Sequence, residues 1–102
     1  MRMPTRRPKG AVLALTRAVA VTYGSRGVRA NTLCPGVIDT EMIHETLIER
    51  DDVRTALARN TPLRRIGTAE DIAEVTLFLV SDASRFITGE AFAVDGGLIQ
   101  RV

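Results

Sequence analysis

Asn31-Thr32-Leu33-Cys34-Pro35-Gly36-Val37-Ile38-Asp39-Thr40 is the stretch on which the fold turns. Its first half continues the β-rich run that begins at Val28, and Pro35 ends that run because its nitrogen has no hydrogen to give to a ladder. The pattern predicts a strand over 28–34 that opens into a loop at Pro35-Gly36. On the N-terminal side, Val12, Leu15, Ala18, Val19 and Thr22 recur at three- and four-residue steps between Lys9 and Tyr23, with Ala11 and Ala14 widening the stripe. This predicts a largely buried helix, stopped by Gly24 and Gly27.

Downstream, residues 42–59 are polar and acidic at first, and Val53, Ala56 and Leu57 then recur at helical spacing. One or two covering helices are expected there. Thr68 has the chemistry of an N-cap, with Asp71 three residues on as a capping-box partner and Glu70 at the positive end of the helix dipole. The helix it starts, about 69–80, aligns Ile72, Val75, Thr76 and Leu79 on one face. Residues 81–89 form a loop in this scheme, 91–94 a short strand, and Asp95-Gly96-Gly97 the turn after it. Strand, helix and strand in that order require a crossover, which makes the pair parallel and the connection right-handed. The expected class is α/β.

One small domain is all that 102 residues allow, and 45% hydrophobic with 25% charged residues is ordinary globular composition. Burial is the weak point, because a short chain hides a small share of its surface and a parallel sheet needs cover on both faces. Marginal stability or association is expected. The single Cys34 cannot form an internal disulfide and no cluster suggests a metal, so a reducing, cytoplasmic setting follows. The net charge of +2 comes from the head of the chain: Arg2, Arg6 and Arg7 precede Lys9, and from Lys9 onward 11 basic residues face 12 acidic ones. A structured footprint for nucleic acid is therefore missing. The apolar run 11–15 is cut by Thr16-Arg17, too short for a signal peptide or a membrane span. Residues 1–8, with two prolines and three arginines, are expected to be a disordered lead. His44 stands alone, and Arg50 and Arg54 interleave Glu49, Asp51 and Asp52, the pattern of a solvated helix face.

Three pieces taken together resemble the C-terminal segment of the short-chain dehydrogenase/reductase family: Lys9-Gly10-Ala11-Val12, Arg29-x-Asn31 leading into the Pro35–Thr40 loop, and Leu63-Arg64-Arg65-Ile66-Gly67. The resemblance runs from Lys9 to about Gly97. It implies that residues 9–102 are an incomplete, C-terminal part of a doubly wound parallel-sheet (Rossmann-like) dinucleotide-binding domain. It further implies NAD or NADP as cofactor and a small carbonyl or alcohol, or an acyl-carrier intermediate, as substrate. Subunit contacts would run through the long helix and the last helix–strand pair, giving a homo-oligomer or association with a full-length relative.

In that family a catalytic tyrosine precedes the lysine as Tyr-x-x-x-Lys, which places Lys9 as the catalytic lysine and the holder of the nicotinamide ribose. Four residues along a helix put both side chains on one face, where the ammonium lowers a phenol pKa from about 10 and readies it for proton transfer. Thr5 occupies the tyrosine's place, and its hydroxyl is too weak an acid for that work. The resemblance assigns Pro35, Gly36, Val37 and Ile38 to the nicotinamide amide and Thr40 to the carboxamide or pyrophosphate. The family's catalytic serine and glycine-rich loop have no counterpart here. The chain alone is expected to be inactive, with an interaction fragment or a gene remnant as the alternative. The codons TAC GCG ACG ACC, for Tyr-Ala-Thr-Thr, spell the Thr-Arg-Arg-Pro of residues 5–8 when read one base late, so a shifted frame is expected to explain the missing tyrosine.

Overall fold

The computed structural model describes residues 10–39 and 51–98. Helix α1 (Ala11–Tyr23) leads through a 3-10 turn at Gly24–Arg26 to strand β1 (Thr32–Pro35) and the two-residue strand β2 (Ile38–Asp39). Helix α2 (Asp51–Asn60), strand β3 (Gly67–Thr68), helix α3 (Ala69–Val80), a 3-10 turn at Asp82–Ser84 and strand β4 (Ala91–Val94) follow. Residues 1–8, expected to be a disordered lead, lie outside the described residues, as do Lys9, Thr40 and His44.

β1 and β4 pair in parallel, with Thr32 opposite Ala91 and Pro35 opposite Val94. Successive side chains of β1 point to opposite faces. Thr32 turns to α1, where its hydroxyl and that of Thr16 are 2.6 Å apart. Leu33, next along, lines a hollow with Thr76, Leu79 and Val80 of α3. The two long helices therefore cover opposite faces of one strand pair, which gives a three-layer α/β/α arrangement. A second parallel pair, β2 with β3, sets Ile38 opposite Gly67 and Asp39 opposite Thr68.

Two expectations shift. β1 begins at Thr32 and not at Val28, because the residues before it bond to the loop that precedes β4 and not to a ladder. Arg29 donates to Ser84 Oγ and to the carbonyls of Ser81 and Ile87 at 3.1–3.2 Å. Asn31 donates to the Ile87 carbonyl and accepts from the Glu90 amide. The second shift concerns α1, whose phase differs from the expected one. Ala20 is buried and Leu13, Thr16 and Val19 are half-buried, whereas Val12 and Leu15 are 60% and 66% exposed. The helix is apolar nearly all round, so periodicity alone could not choose between its faces. The hydroxyl pair with Thr32 and the closeness of Ala20 to Gly89 select the observed one.

α3 starts where the capping residues place it. Thr68 Oγ1 accepts from the Asp71 amide, and an Asp71 carboxylate oxygen accepts from the Thr68 amide at 2.8 Å. Thr68→Ala is expected to cost about 1 kcal/mol in urea denaturation. The Arg65 guanidinium, bonded to both carboxylate oxygens at 2.7 and 3.1 Å, and then the Thr68 amide hold Asp71 well below the usual carboxylate range. A carboxyl depressed in the folded state stabilises fully above its ordinary value of about 4 and progressively less as pH falls from there. Acid titration of helicity by circular dichroism checks this, and Asp71→Asn is expected to flatten the acid limb.

Candidate functional site

Because β1 and β4 run in parallel, both carboxyl ends reach the same edge of the sheet, which is where ligands enter such folds. Past Pro35 the chain makes one more bond to its neighbour, Gly36 N–H to the Val94 carbonyl at 3.1 Å, and then diverges through Val37 into β2. Past Val94 it turns through Asp95-Gly96-Gly97, where Asp95 Oδ1 accepts from the Gly97 amide at 2.9 Å. A cleft of about 640 Å³ opens between these segments, lined among others by Val37, Ile38, Thr61, Leu63, Val94 and Asp95.

Gly36 has a packing reason to be glycine. A Cβ there would lie 2.7 Å from Asp95 Cβ and 2.8 Å from Asp95 Cα, so the bare backbone is what lets the two turns meet. Ile38 presents its amide in a useful direction. Gly67 N–H donates to the Val37 carbonyl, and in a parallel ladder this turns the Ile38 N–H to the side away from β3.

Of the residues expected at the site, Pro35, Gly36, Val37 and Ile38 come together at this edge, and Val37 and Ile38 line the cleft. Lys9 and Thr40 fall outside the described residues. Cys34 is half-buried at the end of β1; burial, and then the negative charge of Asp95, push its thiol pKa up, so it stays protonated at neutral pH.

The contributions of Asp95, Thr61 and the Arg65–Asp71 pair to the cleft were not evident from residue patterns. The signal that could have found Asp95 is an acid placed directly after a strand and before two glycines, at the same end as Pro35-Gly36. Arg54 and Asp39 form an ion pair at 2.8 Å that ties α2 to β2 beside the cleft. Among the described residues no three His, Cys, Asp or Glu side chains gather as a metal site would require, and no helix is long and apolar enough to cross a membrane.

Comparison with known proteins bears on this geometry. The family model described as Enoyl-(Acyl carrier protein) reductase matches residues 5–99. A curated relative, the 2-(S)-hydroxypropyl-CoM dehydrogenase 3 of Xanthobacter autotrophicus, is 46% identical over 93 residues, which cover 88% of this chain and 36% of the relative. Among solved structures, a short-chain type dehydrogenase/reductase from Mycobacterium ulcerans aligns with a TM-score of 0.81 and 38% identity, over 89% of this chain and 33% of that one. The gluconate 5-dehydrogenase of Burkholderia cenocepacia, solved with NADP and tartrate, aligns with a TM-score of 0.80 and 35% identity, over 92% of this chain and 36% of that one. The chain thus spans about a third of the length of these relatives. Sequence and backbone agree over almost all of its residues, and the chain belongs to the short-chain dehydrogenase/reductase family.

Proposed function

We propose that this chain forms the rear wall of the nicotinamide pocket of an NAD(P)-dependent oxidoreductase that interconverts an alcohol and a carbonyl. The observation that carries this is the loop from Pro35 to Ile38, which leaves the carboxyl end of β1 beside the matching end of β4 and lines a cleft. The donor set fits one end of the cofactor. Ile38 turns an amide away from β3, able to pair with a carboxamide, because the β2–β3 pairing uses the Val37 carbonyl and leaves the Ile38 N–H on the other side. Lys9 and Thr40 complete the set by family resemblance, on the ribose and on the carboxamide or pyrophosphate.

Bound NAD or NADP supplies or accepts the hydride. Within the set proposed here, Lys9 provides a positive charge four residues along the sequence from position 5, where by family resemblance an acid able to deliver a proton is needed. Thr5 is not such an acid. No glycine-rich G-x-G-x-x-G turn for the pyrophosphate occurs in these 102 residues.

The 102 residues alone, mixed with NADH or NADPH and a panel of carbonyl compounds, are expected to give no change in nicotinamide absorbance. A chimera decides the proposal: residues 5–102 are joined behind the N-terminal portion of the Xanthobacter dehydrogenase, with either Thr5 kept or Thr5→Tyr. The tyrosine form is expected to turn over at least about a hundredfold faster than the threonine form, and Lys9→Ala is expected to remove that gain. Equal rates from the two forms overturn the assignment.

A specific observation favours a second role. Val12, Leu15 and Val21 of α1 and Leu77 and Val80 of α3 are all at least 60% exposed. Apolar side chains on the outer sides of both helices suit subunit contact, either with a second copy or with a full-length relative. Co-purification of the tagged chain with such a relative tests this role separately from turnover. A cytoplasmic setting belongs to the same proposal.

A further inference from the structure

β3 is two residues long, and the first of them has no room for a side chain. A Cβ at Gly67 would lie 2.6 Å from Ile38 Cδ1, so the pairing of β3 with β2 as it stands calls for glycine there. Glycine is also the residue with the most backbone freedom to lose, and so short a ladder does little to hold it. Its peptide is fixed by other means.

The Ile66–Gly67 peptide is gripped from both sides. Its N–H donates to the Val37 carbonyl at 3.0 Å, and its carbonyl, that of Ile66, accepts from Arg65 Nη1 at 3.3 Å. The guanidinium is itself held against the first turn of α3, where Nη1 and Nη2 donate to the two Asp71 carboxylate oxygens at 2.7 and 3.1 Å. Asp71 in turn accepts from the Thr68 amide at 2.8 Å, on the other side of Gly67. A trans peptide is planar with its C=O and N–H opposed, so a grip on the Val37 carbonyl also sets the Ile38 N–H of the same unit. Two peptide planes thus stand in series between Arg65 and the Ile38 amide, and Arg65, Gly67 and Ile38 all line the cleft.

We infer that Arg65 is a positioning residue, which holds the Ile66–Gly67 peptide and through it fixes the direction in which Ile38 presents its amide. Asp71 aims the guanidinium, and the same carboxylate caps α3, so the direction of the amide is set from a helix and not from the loop that bears it. That the amide meets a nicotinamide carboxamide rests on the proposed function, whereas the hold on the peptide does not. The Arg65 side chain is 54% exposed, so its bonds shift a local equilibrium by about two- to fivefold.

Amide exchange followed by NMR on the 102-residue chain separates this role from helix capping. In Arg65→Met, which leaves the reciprocal bonds of Thr68 and Asp71 in place, the Gly67 amide is expected to exchange about two- to fivefold faster, while the Asp71 amide and the amides of β1 and β4 hold their rates. Thr68→Ala is expected to do the reverse, freeing the Asp71 amide and leaving that of Gly67 within about twofold of its rate. Arg65→Lys, a point donor in place of a fork, is expected to recover less than half of the protection. In the chimera carrying Thr5→Tyr, Arg65→Met is expected to raise the KM for NADH or NADPH by about two- to fivefold and to leave the KM for the carbonyl compound unchanged. Gly67 exchange that ignores Arg65→Met, or that rises only in step with the Asp71 amide, overturns the inference, as does an unchanged cofactor KM in an active chimera. A chimera without turnover in any form counts against the proposed function alone.

Discussion

Gly36→Val is expected to abolish the cooperative unfolding transition of this chain. The new Cβ would meet Asp95 at 2.7 Å on its Cβ and 2.8 Å on its Cα, and the second of these is backbone, so no rotamer change relieves it. Overpacking of this kind costs about 1–3 kcal/mol. Pushing the turns apart also strains the Gly36 to Val94 bond, worth about 1 kcal/mol more. Against this stands a small reserve: among the described residues, Ala20 and Ile66 are the only buried apolar side chains, and small domains bury little surface. Gly24→Ala is the control. Nothing lies within 4 Å of a Cβ at Gly24, whose φ of −57° suits any residue, so that variant is expected to be neutral or about 1 kcal/mol more stable. Urea titration followed by circular dichroism compares the two. A wild-type midpoint for Gly36→Val refutes the close approach of the two turns.

Arg29→Leu is expected to cost about 2–4 kcal/mol in the same titration. One guanidinium serves three acceptors, Ser84 Oγ and the carbonyls of Ser81 and Ile87, and thereby holds the approach to β1 against the loop leading into β4. Ile87 keeps a second donor in Asn31 Nδ2, and Ser84 Oγ still donates toward the Leu79 and Ser81 carbonyls, so the loss stays below the sum of three charged bonds. Arg29→Lys retains the charge but lacks the planar fork, and is expected to recover less than half of the loss. Hydrogen exchange over 81–90 should accelerate in both variants. If that loop keeps its protection in Arg29→Leu, the residue is not its anchor.

Local chemistry made some of this legible. Thr68 and Asp71 mark the start of α3 because each supplies the atom the other's backbone needs, and that exchange is written in four consecutive residues. The 91–94 strand and its parallel partner follow from alternation and from the crossover rule. Other features depended on distant partners. Val28-Arg29-Ala30-Asn31 has strand composition, yet the polar ends of Arg29 and Asn31 are used more than fifty positions away, and the ladder starts only at Thr32. The orientation of α1 was equally hidden, since a single hydroxyl contact and a small residue opposite Gly89 set the phase of a helix whose faces are nearly alike. At the site, Pro35-Gly36 announced a strand end. That Asp95 is what Gly36 packs against required the register of β1 on β4.

That register also sets a timetable. Asn31 meets Glu90 across 59 positions, an interval that takes roughly 3–12 s to translate at ordinary rates. Through those seconds β1 has left the ribosome without the strand that completes it, while α1 and α3 can already form from neighbouring residues. Until β4 emerges, β1 presents an unpaired edge open to mispairing with other strands.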